Sequence, residues 1–114
     1  MRLILFFVFL FSFNTYAHVQ GPKEIKKVVY NYNPEIFINI GNVNEKSELY
    51  FIEINGELTK NRIKLKRNEM KKVKVTLPKI ESNRINKFKV CSISPNKKIE
   101  SKICTQVKVY FPQF

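Results

Sequence analysis

The chain has 114 residues and carries 21 lysines and arginines against nine acidic residues, a formal net charge of +12. This length fits one small domain with a modest hydrophobic core. All nine acidic residues are glutamates, one histidine is present, and the three glycines are scattered, which argues against aspartate-built calcium sites, Gly-rich phosphate loops and Ser-His-Asp triads. We therefore expect no enzymatic activity and no cofactor.

The N-terminal stretch MRLILFFVFLFSFNTYA is typical of a cleaved signal peptide. Arg2 precedes the apolar run Leu3–Phe13, and Ala17 ends a short segment of the kind that signal peptidase reads. The alternative is a membrane anchor, but the run is shorter than the roughly 20 residues of a spanning helix. We expect residues 1–17 to be removed, residues 18–114 to form one domain, and the protein to be periplasmic or secreted and not to span the membrane after cleavage.

The remaining chain is rich in β-branched and aromatic residues, with apolar side chains at alternate positions. The segment KKVKVTL shows this best, since Val73, Val75 and Leu77 alternate with polar residues. The dipeptide Asn55-Gly56 predicts a tight hairpin turn. The predicted strands are Glu24–Tyr32, Glu35–Ile40, Glu48–Ile54, Arg62–Lys66, Lys71–Leu77, Lys87–Ile93 and Lys102–Phe111. Seven short strands at this spacing predict an all-β sandwich.

The only two cysteines, Cys91 and Cys104, flank a turn signal. If their segments form a hairpin folded at Lys97–Lys98, the numbers of opposed residues sum to 195 and the cysteines face each other. The same register sets Phe88 opposite Val107, so the cysteine pairing and the apolar pairing agree. A redox or metal pair is the alternative, but CxxC spacing and a neighbouring histidine are missing. We therefore predict a structural disulfide on the outer face of the hairpin, formed in an oxidising compartment.

His18 follows the predicted cleavage site. A terminal imidazole and a free amine can chelate copper, as in secreted copper-binding sandwich proteins and copper monooxygenases, which this terminus resembles in that single respect. Those families use a second histidine, and this chain has none. We therefore expect no metal site and a frayed terminal side chain.

The segments NPEIFINIGNVNEKSELYFIEING, IKLKRNEMKKVKVTLP and KFKVCSIS, followed by a returning strand, resemble immunoglobulin-like modules of bacterial envelopes. The N-terminal domain of periplasmic pilus chaperones looks similar. The resemblance implies a small immunoglobulin-like antiparallel β-sandwich. Two features depart from those chaperones: one domain is expected here in place of two, and their carboxylate-anchoring basic residues match no position of this chain.

Two functions agree with these features. The first is an exported, non-enzymatic protein that binds an envelope protein partner through an exposed strand edge, with Glu24–Tyr32 and Lys102–Phe111 as the predicted edges. The alternative is a basic module that binds anionic envelope polymers, phospholipid head groups or nucleic acid, unless the lysines only keep the strand faces soluble. The residues predicted for this anion-binding face are Lys64, Lys66, Arg67, Lys71, Lys72 and Lys74.

Overall fold

The computed structural model describes residues 18–94 and 101–114. The strands are β1 (His18–Gly21), β2 (Glu24–Val28), β3 (Glu35–Asn42), β4 (Glu48–Ile54), β5 (Glu57–Leu65), β6 (Met70–Thr76), β7 (Ile85–Ser94) and β8 (Ser101–Tyr110). The predicted signal peptide and the predicted turn at Lys97–Lys98 lie outside the described residues. Nowhere in residues 18–94 and 101–114 is there a helix long and apolar enough to cross a membrane.

The strands form two sheets, which confirms the predicted all-β sandwich. One sheet has three strands in the order β1-β3-β6, and the other has five in the order β2-β8-β7-β4-β5. All neighbouring strands are antiparallel except β2 and β8, which run parallel. The chain thus enters the three-stranded sheet as β1, crosses at Pro22, and joins the five-stranded sheet as β2.

Three differences from the predicted strands are large, and all other strand ends agree within two residues. β1 was not predicted, because the short sequence HVQG lacks a run of alternating apolar residues. β2 ends at Val28 and not at Tyr32, since the chain bends over residues 30–33 on its way to the other sheet. β5 begins at Glu57, directly after the predicted turn, where Asn55 and Gly56 both have positive φ, 51° and 87°.

The β7–β8 hairpin has the predicted register. Cys91 lies opposite Cys104 and forms the disulfide, and Phe88 lies opposite Val107. The cysteines lie on the outer face, where Cys91 is nevertheless buried. On the same face Glu53 of β4, which lies opposite Cys91, forms an ion pair with Lys102 of β8. The Lys102 Nζ to Glu53 Oε1 distance is 2.7 Å.

The hydrophobic core lies between the two sheets. Fully buried isoleucines of β3 pack against fully buried residues of β4, β5, β7 and β8 on the facing sheet. The largest fully buried apolar side chains are Tyr50, Ile36, Ile38, Ile40, Ile52, Leu65, Leu77, Val75, Val90, Val107 and Val109. Burial of each such aliphatic side chain contributes about 1.5–3 kcal/mol, so this layer supplies the main driving force for folding.

Candidate protein-binding edge

Four strands lie at sheet edges in the described part of the chain: β2 and β5 in the five-stranded sheet, and β1 and β6 in the three-stranded sheet. β2 therefore occupies an edge, as predicted for Glu24–Tyr32. The prediction that Lys102–Phe111 forms an edge is wrong, because β8 lies between β2 and β7. The N-terminal segment crosses from the other sheet and covers β8.

Three of the four edges carry features that discourage pairing with another chain. β1 has only four residues, β5 has an irregular register with β4 between Phe51 and Glu53, and β6 exposes the lysines of KKVKV. Short edges, bulges and lysines are the devices by which natural sheets avoid edge-to-edge association. β2 also contains lysines, but its outer face adjoins an apolar row with a large side chain on each of three strands, whereas on the other sheet Gly41 of β3 separates the exposed Val19 of β1 and Met70 of β6.

The backbone of β2 points alternate groups toward and away from β8. Gln106 N–H donates to Lys23 O at 2.9 Å, and Val29 N–H donates to Tyr110 O at 2.8 Å. In a parallel ladder the residues that bond to the neighbour alternate with residues that bond to the other side. Odd-numbered residues of this segment thus bond to β8, and the N–H and C=O groups of Glu24, Lys26 and Val28 face the open side.

The inner side of β2 faces the three-stranded sheet. Ile25 is half-buried and packs against the core, and the Lys27 ammonium donates to the Glu35 carbonyl of β3 at 3.4 Å. Lys27 and Glu35 also line an open, largely polar groove of about 460 Å³ on this side. The apolar row that adjoins β2 lies on the other side, on the outer face of the five-stranded sheet.

On that outer face, three apolar side chains form a row across β2, β8 and β7. Val28 pairs with Tyr110, and Tyr110 pairs with Ile85; these three residues are 51%, 37% and 61% exposed. They line a shallow groove of about 410 Å³ together with Lys26 and Lys108. An exposed apolar row beside an unpaired strand edge is a feature of interaction surfaces.

The next row across the same strands is cationic. Lys26 pairs with Lys108, and Lys108 pairs with Lys87. Glu24 is the acidic residue beside them, and its Oε1 lies 3.6 Å from Lys26 Nζ and 3.7 Å from Lys108 Nζ. One carboxylate against three ammonium groups leaves this part of the face positive.

The structure divides the predicted anion-binding residues between the two sheets. Lys64 on β5 lies on the outer face of the five-stranded sheet, since its neighbours Ile63 and Leu65 are buried. Lys72 and Lys74 on β6 lie on the outer face of the three-stranded sheet, which points the opposite way. The remaining members, in the β5–β6 connection and at the start of β6, are Lys66, Arg67 and Lys71. These six residues do not form one face.

His18 is fully buried, so the prediction of a frayed terminal side chain is wrong. Its Nδ1 lies 2.7 Å from Ser101 Oγ, and its Nε2 lies 2.9 Å from Ser92 Oγ and 3.2 Å from Ser92 O. This geometry fits a neutral imidazole with the proton on Nε2. Burial lowers the pKa of His18, and the hydrogen bond to the Ser92 carbonyl offsets this only in part.

Gln20, two residues along β1, completes a buried polar network. Its Nε2 donates to Thr105 Oγ1 at 2.8 Å and to Val90 O at 3.1 Å, and its Oε1 accepts from the Ser92 backbone N–H at 3.0 Å and from the Ser92 hydroxyl. Thr105 Oγ1 donates in turn to Pro22 O at 2.6 Å. The network fastens β1 to the β7–β8 hairpin across the sandwich.

This histidine–serine contact does not amount to a catalytic site. Both ring nitrogens of His18 already have partners, the ring packs against Tyr50 at a centroid distance of 4.9 Å, and His18 has no exposed surface through which a substrate could reach it. Among the described residues, no group of three or more His, Cys, Asp or Glu side chains is arranged to hold a metal ion.

The fold is similar to that of several solved structures. A chain of the "CsuC-CsuE chaperone-tip adhesion subunit pre-assembly complex" of Acinetobacter baumannii has a TM-score of 0.60 and 9% identity over 82% of this chain and 56% of that one. PapD-like domain 7 of human CEP192 has a TM-score of 0.58 and 12% identity over 85% and 86%. The periplasmic chaperone SfaE has a TM-score of 0.55 and 15% identity over 85% and 58%.

These identities show the fold alone, and at that level the predicted resemblance to pilus-chaperone domains is confirmed. This chain spans a little over half the length of the matched chains in the Acinetobacter complex and in SfaE. The sequence matches no protein-family model and no curated protein.

Sequence reasoning missed the apolar and cationic rows. Each row joins residues from β2, β8 and β7 that lie far apart in the chain, so the register of β2 on β8 is needed to find them. The sequence shows that Lys26 alternates with Val28 and that Lys108 alternates with Tyr110. It does not show the parallel pairing of β2 with β8 that places these residues side by side.

Proposed function

We propose that this protein is a non-enzymatic binding domain that accepts an extended segment of a protein partner along the open side of β2. The observation that carries the proposal is the coincidence of unpaired backbone groups at Glu24, Lys26 and Val28 with the apolar row that begins at Val28. Strand addition uses backbone hydrogen bonds for affinity and side-chain contacts for specificity.

Binding of an extended peptide at β2 needs both backbone hydrogen bonds and apolar contacts. Each backbone hydrogen bond gained on association contributes about 0.5–1.5 kcal/mol net, so the few bonds that β2 offers require apolar contacts as well. Contact with Val28, and through it with the Tyr110 row, supplies them. The exposed Met70 of β6 offers fewer such contacts, because glycine occupies the next position of its row.

The disulfide supports export of this protein to an oxidising compartment, because such bonds persist mainly there. Among the structures of similar fold, SfaE is a periplasmic chaperone, and the Acinetobacter structure is a chaperone–subunit pre-assembly complex. These neighbours support an assembly role in the envelope as the setting in which the edge of β2 meets its partner.

The test compares Lys26→Pro with Lys26→Ala. Proline removes the N–H that faces the open side and is tolerated at edges where that N–H points to solvent, whereas alanine keeps the N–H and removes only the side chain. The protein is expressed with its full N-terminal segment, and binding is measured on an array of ten-residue peptides of random sequence.

We expect Lys26→Pro to weaken binding of array-selected peptides about tenfold relative to Lys26→Ala, with little change in the midpoint of thermal unfolding. Lys27→Pro serves as the control for the other side of the strand, since it removes an N–H that faces β8 and lowers stability. Equal binding by Lys26→Pro and Lys26→Ala would contradict strand addition at this edge.

A second candidate function is attraction of anionic polymers, favoured by the cationic row of Lys26, Lys108 and Lys87. This is a different set of lysines from the one predicted from the sequence. Counterion release makes such binding fall steeply with salt. Retention on a heparin column well above physiological salt, reduced in a Lys87→Ala, Lys108→Ala double variant, would support it, and elution in the first wash would reject it.

A further inference from the structure

We infer that the segment bound along β2 carries an acidic residue beside Lys26, an apolar residue two positions away beside Val28, and a basic residue two positions away in the other direction, beside Glu24. This inference rests on the proposed function and narrows the partner to an extended peptide with alternating apolar, acidic and basic side chains.

On the outer face, the side chains of opposed residues on β2, β8 and β7 form rows that run across the strands. Side chains at directly opposed positions of neighbouring strands have Cβ atoms about 4.5–5.5 Å apart, and every second residue points to the same face. A strand added to β2 therefore continues the three rows that start at Glu24, Lys26 and Val28. Its intervening residues point toward the opposite side, where the exposed Lys27 donates a hydrogen bond to the Glu35 carbonyl of β3.

The row that starts at Val28 requires an apolar ligand residue. Val28, Tyr110 and Ile85 are all exposed on the described surface, and a fourth apolar side chain beside Val28 extends the row and removes apolar area from water. A charged side chain at this position would lose hydration against Val28 without gaining an ion pair.

The row that starts at Lys26 requires an acidic ligand residue. Lys26, Lys108 and Lys87 lie in register, and like charges directly opposed across strands are destabilising. Glu24 relieves this only in part, because its Oε1 is shared between Lys26 Nζ at 3.6 Å and Lys108 Nζ at 3.7 Å. A ligand carboxylate beside Lys26 adds the second negative charge that the row lacks.

The third row favours a basic ligand residue. It consists of Glu24, Gln106 and Lys89, so its acidic end lies at the open edge. When Lys26 pairs with the ligand carboxylate, Glu24 keeps only its contact of 3.7 Å with Lys108 and can attract a second cation at the open edge. The three rows together specify the order of side chains on the ligand.

A second copy of this chain fits the edge poorly. The longest antiparallel overlap of two β2 strands sets Lys26 opposite Lys26, with Glu24 of each strand opposite Val28 of the other. That arrangement repeats the like-charge contact and pairs a charge with an apolar side chain. A register shifted by two residues sets Glu24 opposite Lys26 but leaves Val28 outside the overlap of the two strands. Neither register satisfies all three rows, which favours a partner of different sequence.

The experiment uses blocked ten-residue peptides with threonine at all positions except a central pattern. One pair reads Val-Thr-Glu-Thr-Lys and its reverse order, which covers both chain directions. A matched pair carries lysine in place of the glutamate. Binding to the protein, expressed with its full N-terminal segment, is measured by NMR titration at low salt, for the wild type and for Lys26→Glu and Lys72→Glu.

We expect the wild type to bind one glutamate peptide about five- to tenfold more tightly than its lysine counterpart, and Lys26→Glu to reverse this preference. Lys72→Glu makes the same change in net charge on the other sheet, so it should keep the wild-type preference. A preference that changes equally in both variants would reveal general charge attraction and overturn the inference.

The remaining outcomes separate the inference from the proposed function. Equal binding of all peptides, with loss in Lys26→Pro, would keep strand addition and overturn the side-chain order. If the wild type binds neither the designed peptides nor any peptide of the random array, the proposed function itself is overturned. Binding of array peptides without binding of the designed ones would overturn the side-chain order alone. Displacement of the bound peptide by phosphatidylglycerol vesicles, but not by phosphatidylcholine vesicles, would identify the cationic row as a lipid site and overturn the inference.

Discussion

The two strands that begin the described chain differ in how they attach to the rest of the sandwich. β1 contributes two side chains to a hydrogen-bond network with β7 and β8: His18 is fully buried and Gln20 is half-buried. β2, three residues later, attaches by its parallel backbone ladder and by Ile25, and most of its side chains are exposed. Adjacent segments of one chain thus serve different purposes.

The difference indicates which segment is structural and which is available for binding. A buried polar network is stabilising only when all of its members are satisfied, and that requirement fixes β1 in one position. β2 leaves one backbone side and one face open. Substitutions in each segment test this contrast.

Removal of the disulfide should lower stability most, because both N-terminal strands attach to the β7–β8 hairpin. β1 bonds to it through side chains, and β2 pairs with β8. For Cys91→Ala with Cys104→Ala, the loss of a cross-link over 13 residues should lower the free energy of unfolding by about 3 kcal/mol. Urea denaturation measures it. Reduction of the wild type with dithiothreitol should reproduce the loss, and a change below about 1 kcal/mol would show that the inter-strand contacts hold the hairpin without it.

His18→Ala should lower the free energy of unfolding by about 2 kcal/mol, since it leaves the buried Ser101 hydroxyl and one Ser92 acceptor without their partner. Val19→Ala is the matched control on the same strand, because Val19 is 40% exposed and should cost less than about 0.5 kcal/mol. Similar losses for the two variants would mean that β1 is held by its backbone and not by the network.

The stability of the protein should also fall as the pH is lowered through the ordinary pKa of histidine, about 6.5. Burial lowers the pKa of His18 in the folded state, so below pH 6.5 the unfolded chain binds a proton that the folded protein does not. Stability is then full above pH 6.5 and declines below it, by at most about 1.4 kcal/mol per pH unit.

Thermal unfolding between pH 7.5 and pH 5 measures this dependence. His18→Ala should flatten the curve in that interval. A curve of unchanged slope in the variant would assign the dependence to other groups.

Ile25→Ala should lower the free energy of unfolding by about 1 kcal/mol, less than His18→Ala, because this side chain is only half-buried. Val28→Ala on the same strand should change stability by less than about 0.5 kcal/mol and yet weaken peptide binding. Chemical denaturation and NMR titration of the two variants separate the inner side of β2 from its outer side. Loss of stability without loss of binding in Val28→Ala would contradict the assignment of the two sides.

The hairpin and its disulfide were predictable because residues close together in the sequence determine them. Cys91 and Cys104 lie 13 residues apart, and the alternation of apolar residues on both strands permits one register only. The turn at Asn55-Gly56 was predictable for a similar reason, since both residues tolerate positive φ.

The site and the network depend on contacts between distant parts of the chain. His18 is buried because Ser92 and Ser101, 74 and 83 positions away, satisfy its ring nitrogens. β8 was expected at an edge because it ends the chain, but sheet order depends on where the N-terminal segment crosses. Alternation tells which residues face outward and not which sheet they belong to, so Lys64 and Lys72 were assigned to one face.

Amide hydrogen exchange of β2, with and without a peptide selected on the array, tests the central claim most directly. In the free protein we predict fast exchange at Lys26 and Val28, whose N–H groups face the open side, and slow exchange at Lys27, which faces β8. The bound peptide should slow Lys26 and Val28 and leave Lys27 unchanged. Protection that appears at β5 or β6 in place of β2, or at none of these edges, would contradict the account.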